Sequence, residues 1–240
     1  QMPAFADAWG PMPLTPTPFS PVVDNVALPD APWRALASGA ARAIELLVGH
    51  TRDEYSLFNP WRGRPVTNAL FTSTVNRLAP ATCRPDDYRA AFPRATVSEL
   101  YEIANADWLF RMPSEHLASS QQAGGGTARL YELSWSFNAD EGASHSLDVL
   151  LVFGTLSRAD ITSRPTAYPT ATNEYDHLSQ VMRTDWVTFA TNGDPGWAPY
   201  GPDARTTRVF DAETTDRPYP EEASRRLWAN HRFAALDGIV

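Results

Sequence analysis

The sequence predicts an α/β fold, and three observations carry that prediction. Two apolar runs with strand character, Ala43-Ile44-Glu45-Leu46-Leu47-Val48 and Arg129-Leu130-Tyr131-Glu132-Leu133-Ser134-Trp135, are each followed by a polar motif. Helical periodicity fills most of the remaining chain. With 240 residues, 43% of them apolar and 20% charged, the chain can bury a substantial core and reads as globular. The strand count is awkward for a free-standing fold, because a parallel sheet is covered on both faces and normally holds more than two strands.

The elements follow in order. Residues 1–32 are dense in proline, with Pro11, Pro13, Pro16, Pro18, Pro21, Pro29 and Pro32, and proline removes a backbone donor and disfavours helix before it. This segment reads as extended or loop. Trp33 to Ala43 reads as a short helix leading into a strand at Ile44–Val48, and Asn59 to Pro65 as loop. Asn68 to Leu78 is predicted helical, with Phe71, Val75 and Leu78 on one face. Arg84 to Ala91 and Val97 to Met112 are the next helices, the second closed by Pro113. Gln121 to Gly126 is a turn ahead of the second strand; it lacks the lysine and following helix of a phosphate loop. Asp176 to Asn192 is a helix with Leu178, Met182, Trp186 and Phe189 on one face, capped by Gly193 and stopped by Pro195. Thr207 to Phe210 is a short late strand and Glu221 to Leu236 a final helix.

Composition excludes several classes. The formal net charge is −8, and all 20 basic residues are arginine, none forming a basic cluster. Phosphate-backbone binding is therefore excluded as a main function. The absence of lysine points to a GC-rich, bacterial coding sequence and not to a function. No apolar stretch reaches the roughly 18–20 residues of a membrane helix. Cys83 is the only cysteine, which rules out an internal disulfide and a cysteine-built zinc site, and it leaves the compartment, cytoplasmic or secreted, unassigned. The first residue is Gln1 and no leader pattern follows it, so the reading expects further sequence upstream, removed or on another chain. The eight tryptophans sit mostly at helix or strand core positions, where packing is the default role.

The chemistry concentrates in the two polar motifs, Gly49-His50-Thr51-Arg52-Asp53-Glu54 and Gly142-Ala143-Ser144-His145-Ser146-Leu147-Asp148. Glu54 and His145 lie 91 residues apart, each on the loop just past a strand's carboxyl end. An acid followed by a histidine matches the last two members of a Ser, Asp/Glu, His triad. The first member is missing, since the chain has neither Gly-x-Ser-x-Gly nor a His-Gly-Gly-Gly run for an oxyanion hole. Ser144 and Ser146 flank the histidine without the glycine-flanked turn that presents a nucleophile. His116, His177 and His231 have no metal-like spacing and read as structural or solvated, and no cofactor is implied.

Taken together, these pieces resemble the C-terminal half of the type B carboxylesterases and lipases, the cholinesterase-like and para-nitrobenzyl esterase-like group of the α/β-hydrolases. Phe19-Ser20-Pro21-Val22-Val23-Asp24 with Leu28-Pro29 looks like the family's pre-strand segment. Leu46 to Glu54, ending at Phe58, is similar to its acid-bearing strand and turn. Asp107, Phe110 and Pro113 resemble its mid-chain helix. Gly142-Ala143-Ser144-His145 with Asp148 and Val152-Phe153-Gly154 resembles its histidine loop. Trp186, Phe189-Ala190, Gly193-Asp194-Pro195 and Pro199-Tyr200 look like its late helix and loop. Two departures stand beside the expected site: Tyr55 where the family commonly has a small residue after the acid, and Ser146 where it has glycine after the histidine.

The resemblance implies that residues 1–240 are the C-terminal part of one catalytic domain, the last sheet strands with their helices, with 59–120 a helical insertion between the acid strand and the histidine strand. It implies a serine carboxylesterase acting through an acyl-enzyme, with His145 as base and Glu54 as orienting acid. Asp53, the rival acid, is expected to hydrogen-bond the turn. Asp148 braces the histidine loop or stays solvated; His50 is a surface loop histidine or lines the pocket; Ser179 faces the histidine loop or does not. The serine and the oxyanion hole are expected on a complementary N-terminal half or chain, so this chain alone is expected to be inactive toward a small ester. Self-association is the alternative way to cover the exposed strand edge. The alternative function is a non-catalytic cholinesterase-like adhesion module, against which the presence of both Glu54 and His145 argues.

Overall fold

The computed structural model describes residues 21, 23–59, 63–229, 231 and 233. The proline-rich opening through residue 20, Val22 of the pre-strand segment, residues 60–62 of the loop after Asn59, and most of the last predicted helix past Ala229 lie outside the described residues. Four strands form one sheet in the order β1–β2–β3–β4: β1 Leu46–Thr51, β2 Ala128–Leu133, β3 Thr206–Phe210 and β4 Thr215–Pro218. β1, β2 and β3 run parallel, and β4 returns antiparallel along β3. β4 carries no apolar alternation, and all four of its side chains are exposed, which is why no pattern in the sequence announces it.

The first strand runs three residues past its predicted end. Gly49, His50 and Thr51 stay in register with Tyr131, Glu132 and Leu133, so His50 lies inside the sheet and is buried. His50 is therefore neither a surface loop residue nor part of a pocket. Strand alternation sorts the side chains onto two faces. Leu47, Tyr131, Leu133 and Phe210 pack with Leu147, Leu151, Ile161, Leu178 and Met182 on one face. Leu46, Val48, Ala128 and Leu130 pack with Met112, Ala118, Tyr219 and Trp228 on the other. Covered faces of this kind are what a parallel sheet requires.

α1 (Pro32–Ala37) precedes β1, and the helices between β1 and β2 begin with a cluster of their own. α1 is shorter than predicted, because Gly39 just past its end adopts φ 83°, a left-handed conformation that stops the helix. α2 (Asn68–Leu78) matches its predicted bounds, starts on a Thr67 side chain accepting from the Leu70 N–H at 3.2 Å, and buries Phe71, Val75 and Leu78. α3 (Pro85–Ala91) and α4 (Val97–Ala106) complete that cluster, α4 starting on a reciprocal Thr96/Glu99 capping box. Pro113 does not end the helix as predicted. A π-helical turn, Asp107–Arg111, leads directly into α5, Met112–Ala123. In that turn the Met112 N–H reaches back to the Asp107 carbonyl, and Pro113 then sits in the first turn of α5, where its missing N–H costs little. The turn buries both Asp107 and Arg111.

After β2 come two short helices the periodicity does not reveal, α6 (Leu147–Phe153) and α7 (Arg158–Thr162). α8 (Ala171–Asn192) begins earlier than predicted and ends on Gly193 in the left-handed region, as the Asn192-Gly193-Asp194-Pro195 run implies. α9 (Glu222–Trp228) packs under the sheet beside α5.

A buried polar cluster joins these elements beneath the strand ends. The Arg111 guanidinium faces Asp107 at 3.3 Å and Glu221 at 3.4 Å and donates to the Arg52 carbonyl. His50 Nε2 meets the Tyr219 hydroxyl at 3.1 Å, and burial holds its pKa down at about 3. Glu132, beside His50 in the register, is pushed up to about 8, first by burial and then by the Glu221 charge. A carboxyl raised in this way stabilises the fold fully below the unfolded pKa and loses that contribution as pH climbs through the folded one. Glu132→Gln should therefore gain stability relative to the parent between pH 5 and pH 8, by more than about 1 kcal/mol, in urea denaturation series; a gap that does not change with pH would show that Glu132 is ionised throughout.

Candidate active site

The carboxyl ends of two adjacent parallel strands deliver two loops side by side. After Thr51 the chain turns through Arg52-Asp53-Glu54-Tyr55, and the Glu54 side chain folds back so that Oε1 accepts the Thr51 N–H at 2.8 Å. Its other oxygen, Oε2, accepts from His145 Nδ1 at 2.6 Å. Glu54 is 5% exposed, whereas the His145 side chain is 36% exposed. The rings of Phe58 and Phe110 flank the imidazole at centroid distances of 5.0 and 4.8 Å. Nε2 has no hydrogen-bond partner among the described residues, so one ring nitrogen is spent on the acid and the other faces outward.

The electrostatics follow from that geometry. The hydrogen bond that His145 donates to Glu54 holds the His145 pKa above the ordinary histidine value, partial burial opposes this, and the Glu54 and Asp148 charges add to the rise. Asp148 is itself pushed up by burial and accepts from the Tyr131 hydroxyl at 2.8 Å, tying α6 to β2. It is thus a partnered residue close to the histidine and not a solvated one. Asp53, expected to hydrogen-bond the turn, reaches across to the histidine loop: its N–H donates to the Ala143 carbonyl at 2.9 Å and its Oδ2 accepts the Ala143 N–H at 2.8 Å. Such a pair, a carboxylate on one imidazole nitrogen and a free second nitrogen, can take a proton from a hydroxyl and hand it to a leaving group.

The other residues singled out in the sequence fall elsewhere. Ser179 donates to the Leu151 carbonyl at 2.7 Å and anchors α6, away from the imidazole. Ser144 is buried and Ser146 exposed, both on the backbone of the histidine loop. His177 is exposed on α8, and His116 and His231 pack against Phe233. Among the described residues no group of three or more His, Cys, Asp or Glu is arranged to hold a metal ion. Phe58 and Phe110 were visible only as family motif positions; Phe58 reaches the histidine from the acid turn and Phe110 from the π turn, which no spacing in the sequence encodes.

A family model described as "Carboxylesterase family" matches residues 9–224. The chain belongs to that family. Para-nitrobenzyl esterase of Bacillus subtilis is 30% identical over 224 residues, which cover 87% of this chain and 42% of the relative. Mouse liver carboxylesterase 1 is 24% identical over 210 residues, 74% of this chain and 34% of the relative. Among solved structures, a PNB esterase superposes with a TM-score of 0.69 at 28% identity, over 87% of this chain and 43% of that one. A Geobacillus stearothermophilus carboxylesterase superposes with a TM-score of 0.71 at 25% identity, over 90% and 47%. The chain thus spans less than half the length of the carboxylesterases it matches, and its mixed α/β sheet corresponds to part of their fold.

The two departures from the carboxylesterase pattern have structural consequences. Tyr55 turns away from the histidine and packs edge-on against Tyr101 at 5.9 Å, pinning the acid turn to the α2–α4 cluster. Ser146 adopts φ 65°, ψ 6° at the start of α6, a left-handed conformation that disfavours any Cβ. Ser146→Gly should raise stability by about 1 kcal/mol, read as a higher urea midpoint with an unchanged slope; an unchanged or lower midpoint would mean the serine side chain compensates its own strain.

Proposed function

We propose that this chain is the acid- and base-bearing part of a serine carboxylesterase, with Glu54 as the orienting acid and His145 as the general base. The observation that carries the reading is the 2.6 Å bond between His145 Nδ1 and Glu54 Oε2, with Nε2 left toward the surface. In the assembled enzyme a serine hydroxyl would lose its proton to Nε2 as its oxygen attacks the ester carbonyl. The imidazolium so formed is stabilised by Glu54 and then protonates the departing alcohol. Water attacks the acyl-enzyme by the same route in reverse order, releasing the acid and restoring the serine. The serine and the oxyanion donors are expected on a complementary N-terminal segment, within one longer chain or on a second one. Three observations support this: the 42–47% coverage of the bacterial relatives, the edge position of β1, and exposed Leu57, Val149, Leu150 and Phe153 on the acid turn and α6.

The reading predicts no saturable hydrolysis of p-nitrophenyl acetate by the isolated 26.5 kDa chain; turnover that a serine-directed reagent abolishes would refute the division of labour. When the chain is joined to a nucleophile-bearing half, Glu54→Gln and His145→Gln should each lower kcat by up to about 10⁴-fold. The base works only when neutral and its pKa is raised, so kcat/KM of the assembled enzyme should rise with pH through a midpoint above 6.5 and then level off.

A further inference from the structure

The acid and the histidine sit on separate loops, and a hydrogen bond of 2.6 Å tolerates little drift between them. What fixes the spacing of the two loops is not the triad-type pair itself. Beyond the last β1–β2 pairing, where the Arg52 N–H donates to the Leu133 carbonyl at 2.8 Å, the two chains diverge into loops. They are brought together again at Asp53, which forms an isolated parallel bridge with Ser144. Its N–H donates to the Ala143 carbonyl, and its carboxylate accepts the Ala143 N–H, so one residue grips both polar groups of the same peptide neighbour. Ala143 is fully buried, and Arg52 closes the outer side of the carboxylate at 3.1 Å.

Gly142 shows how tightly this contact is built. Its φ is 63°, and a Cβ placed on it would lie 2.4 Å from Asp53 Oδ2. A side chain there would meet the carboxylate itself. A further link lies three residues on, where the Ser56 hydroxyl donates to the Glu141 carbonyl at 2.8 Å. The acid turn is thereby clamped to the histidine loop on the side of Glu54 away from the imidazole.

We infer that Asp53 is a positioning residue: its carboxylate, by holding the Ala143 N–H in the space left by Gly142, sets the separation of Glu54 and His145. This rests on the proposed pairing of those two residues as acid and base. Asp53 touches neither substrate nor imidazole; it acts through the backbone of the histidine loop. An ordinary turn-forming role would lower stability and leave the Glu54–His145 bond intact, so the two roles separate in a spectrum.

The measurement is the ¹H NMR resonance of the His145 Nδ1 proton in the full chain, expected far downfield of the amide envelope and exchanging slowly with water. Its absence from the parent would sink the acid–base reading itself, before Asp53 enters. Given its presence, Asp53→Ala should lose the resonance or speed its exchange at least tenfold, while far-UV circular dichroism remains that of the parent. Asp53→Asn keeps an acceptor for the Ala143 N–H and should restore it to the parental position. A folded Asp53→Ala with an unchanged resonance overturns the inference, and so does an Asp53→Asn that loses the signal as fully as Asp53→Ala. If Asp53→Ala does not fold, the Ala143 amide in the parent decides together with Asp53→Asn: hydrogen exchange as slow as that of the β2 amides in both supports the clamp, and fast exchange in either overturns it.

Discussion

The parallel pairing of β1 with β2 is the constraint on which the rest of the site depends. Neighbouring strands lie about 4.8 Å apart, and parallel direction sends both chains out at the same end of the sheet. Leu46 through Thr51 paired with Ala128 through Leu133 therefore releases the acid turn and the histidine loop at adjacent points, although Glu54 and His145 are distant in sequence. An antiparallel pairing would have placed them at opposite ends. Strand-end loops on a parallel sheet are also where irregular backbone can carry polar side chains without disturbing the packed faces, which explains why chemistry gathers there.

The strand ends are held from beneath as well as from the side. Arg111 reaches the Arg52 carbonyl from the π turn while meeting Asp107 and Glu221, so the acid turn is tied to a helix that also carries Phe110 against His145. A buried guanidinium without partners would be strongly destabilising, and the two carboxylates and the carbonyl replace part of the water it gives up, while its Nε is left without a hydrogen-bond partner. The same π turn thus does two things: it buries the arginine that supports the acid turn and sets the phenylalanine against the imidazole. π-helical turns interrupt the regular ladder at some cost and concentrate near functional sites.

Much of this was legible in the residues, and the illegible parts have physical causes. The strands around Leu46-Leu47-Val48 and Leu130-Tyr131, the helix Asn68–Leu78, and the stop at Gly193 follow from apolar spacing and capping chemistry that act within a few residues. The side-by-side placement of Glu54 and His145 was legible only through family likeness, because nothing local links positions so far apart. Three of the opaque features show why. β1 continues through His50 because β2 supplies ladder partners, and a histidine is acceptable there only because Tyr219 from a distant segment meets its ring. Pro113 reads as a terminator, and only the wider hydrogen-bonded turn before it lets the helix continue. β4 has no apolar face to signal and exists because β3 offers it an edge.

The contrast between a buried carboxylate and a half-exposed imidazole follows from how the two loops are held. Glu54 gives both oxygens to donors of its own chain, the Thr51 N–H and His145 Nδ1, so its role is complete within these residues. His145 gives one nitrogen to that bond and presents the other outward between two phenylalanine rings. Under the proposed function that orientation is supplied in advance, and the order lost on bringing a nucleophile to the ring would be correspondingly smaller. Preorganisation of the base is nevertheless only one part of ester cleavage, since donors aimed at the developing oxyanion usually supply the largest share of transition-state stabilisation. The proposed division of that work between two segments rests on physical features of this one: among the described residues β1 lies at the edge of the sheet, and Leu57, Val149, Leu150 and Phe153 are exposed on the acid turn and α6.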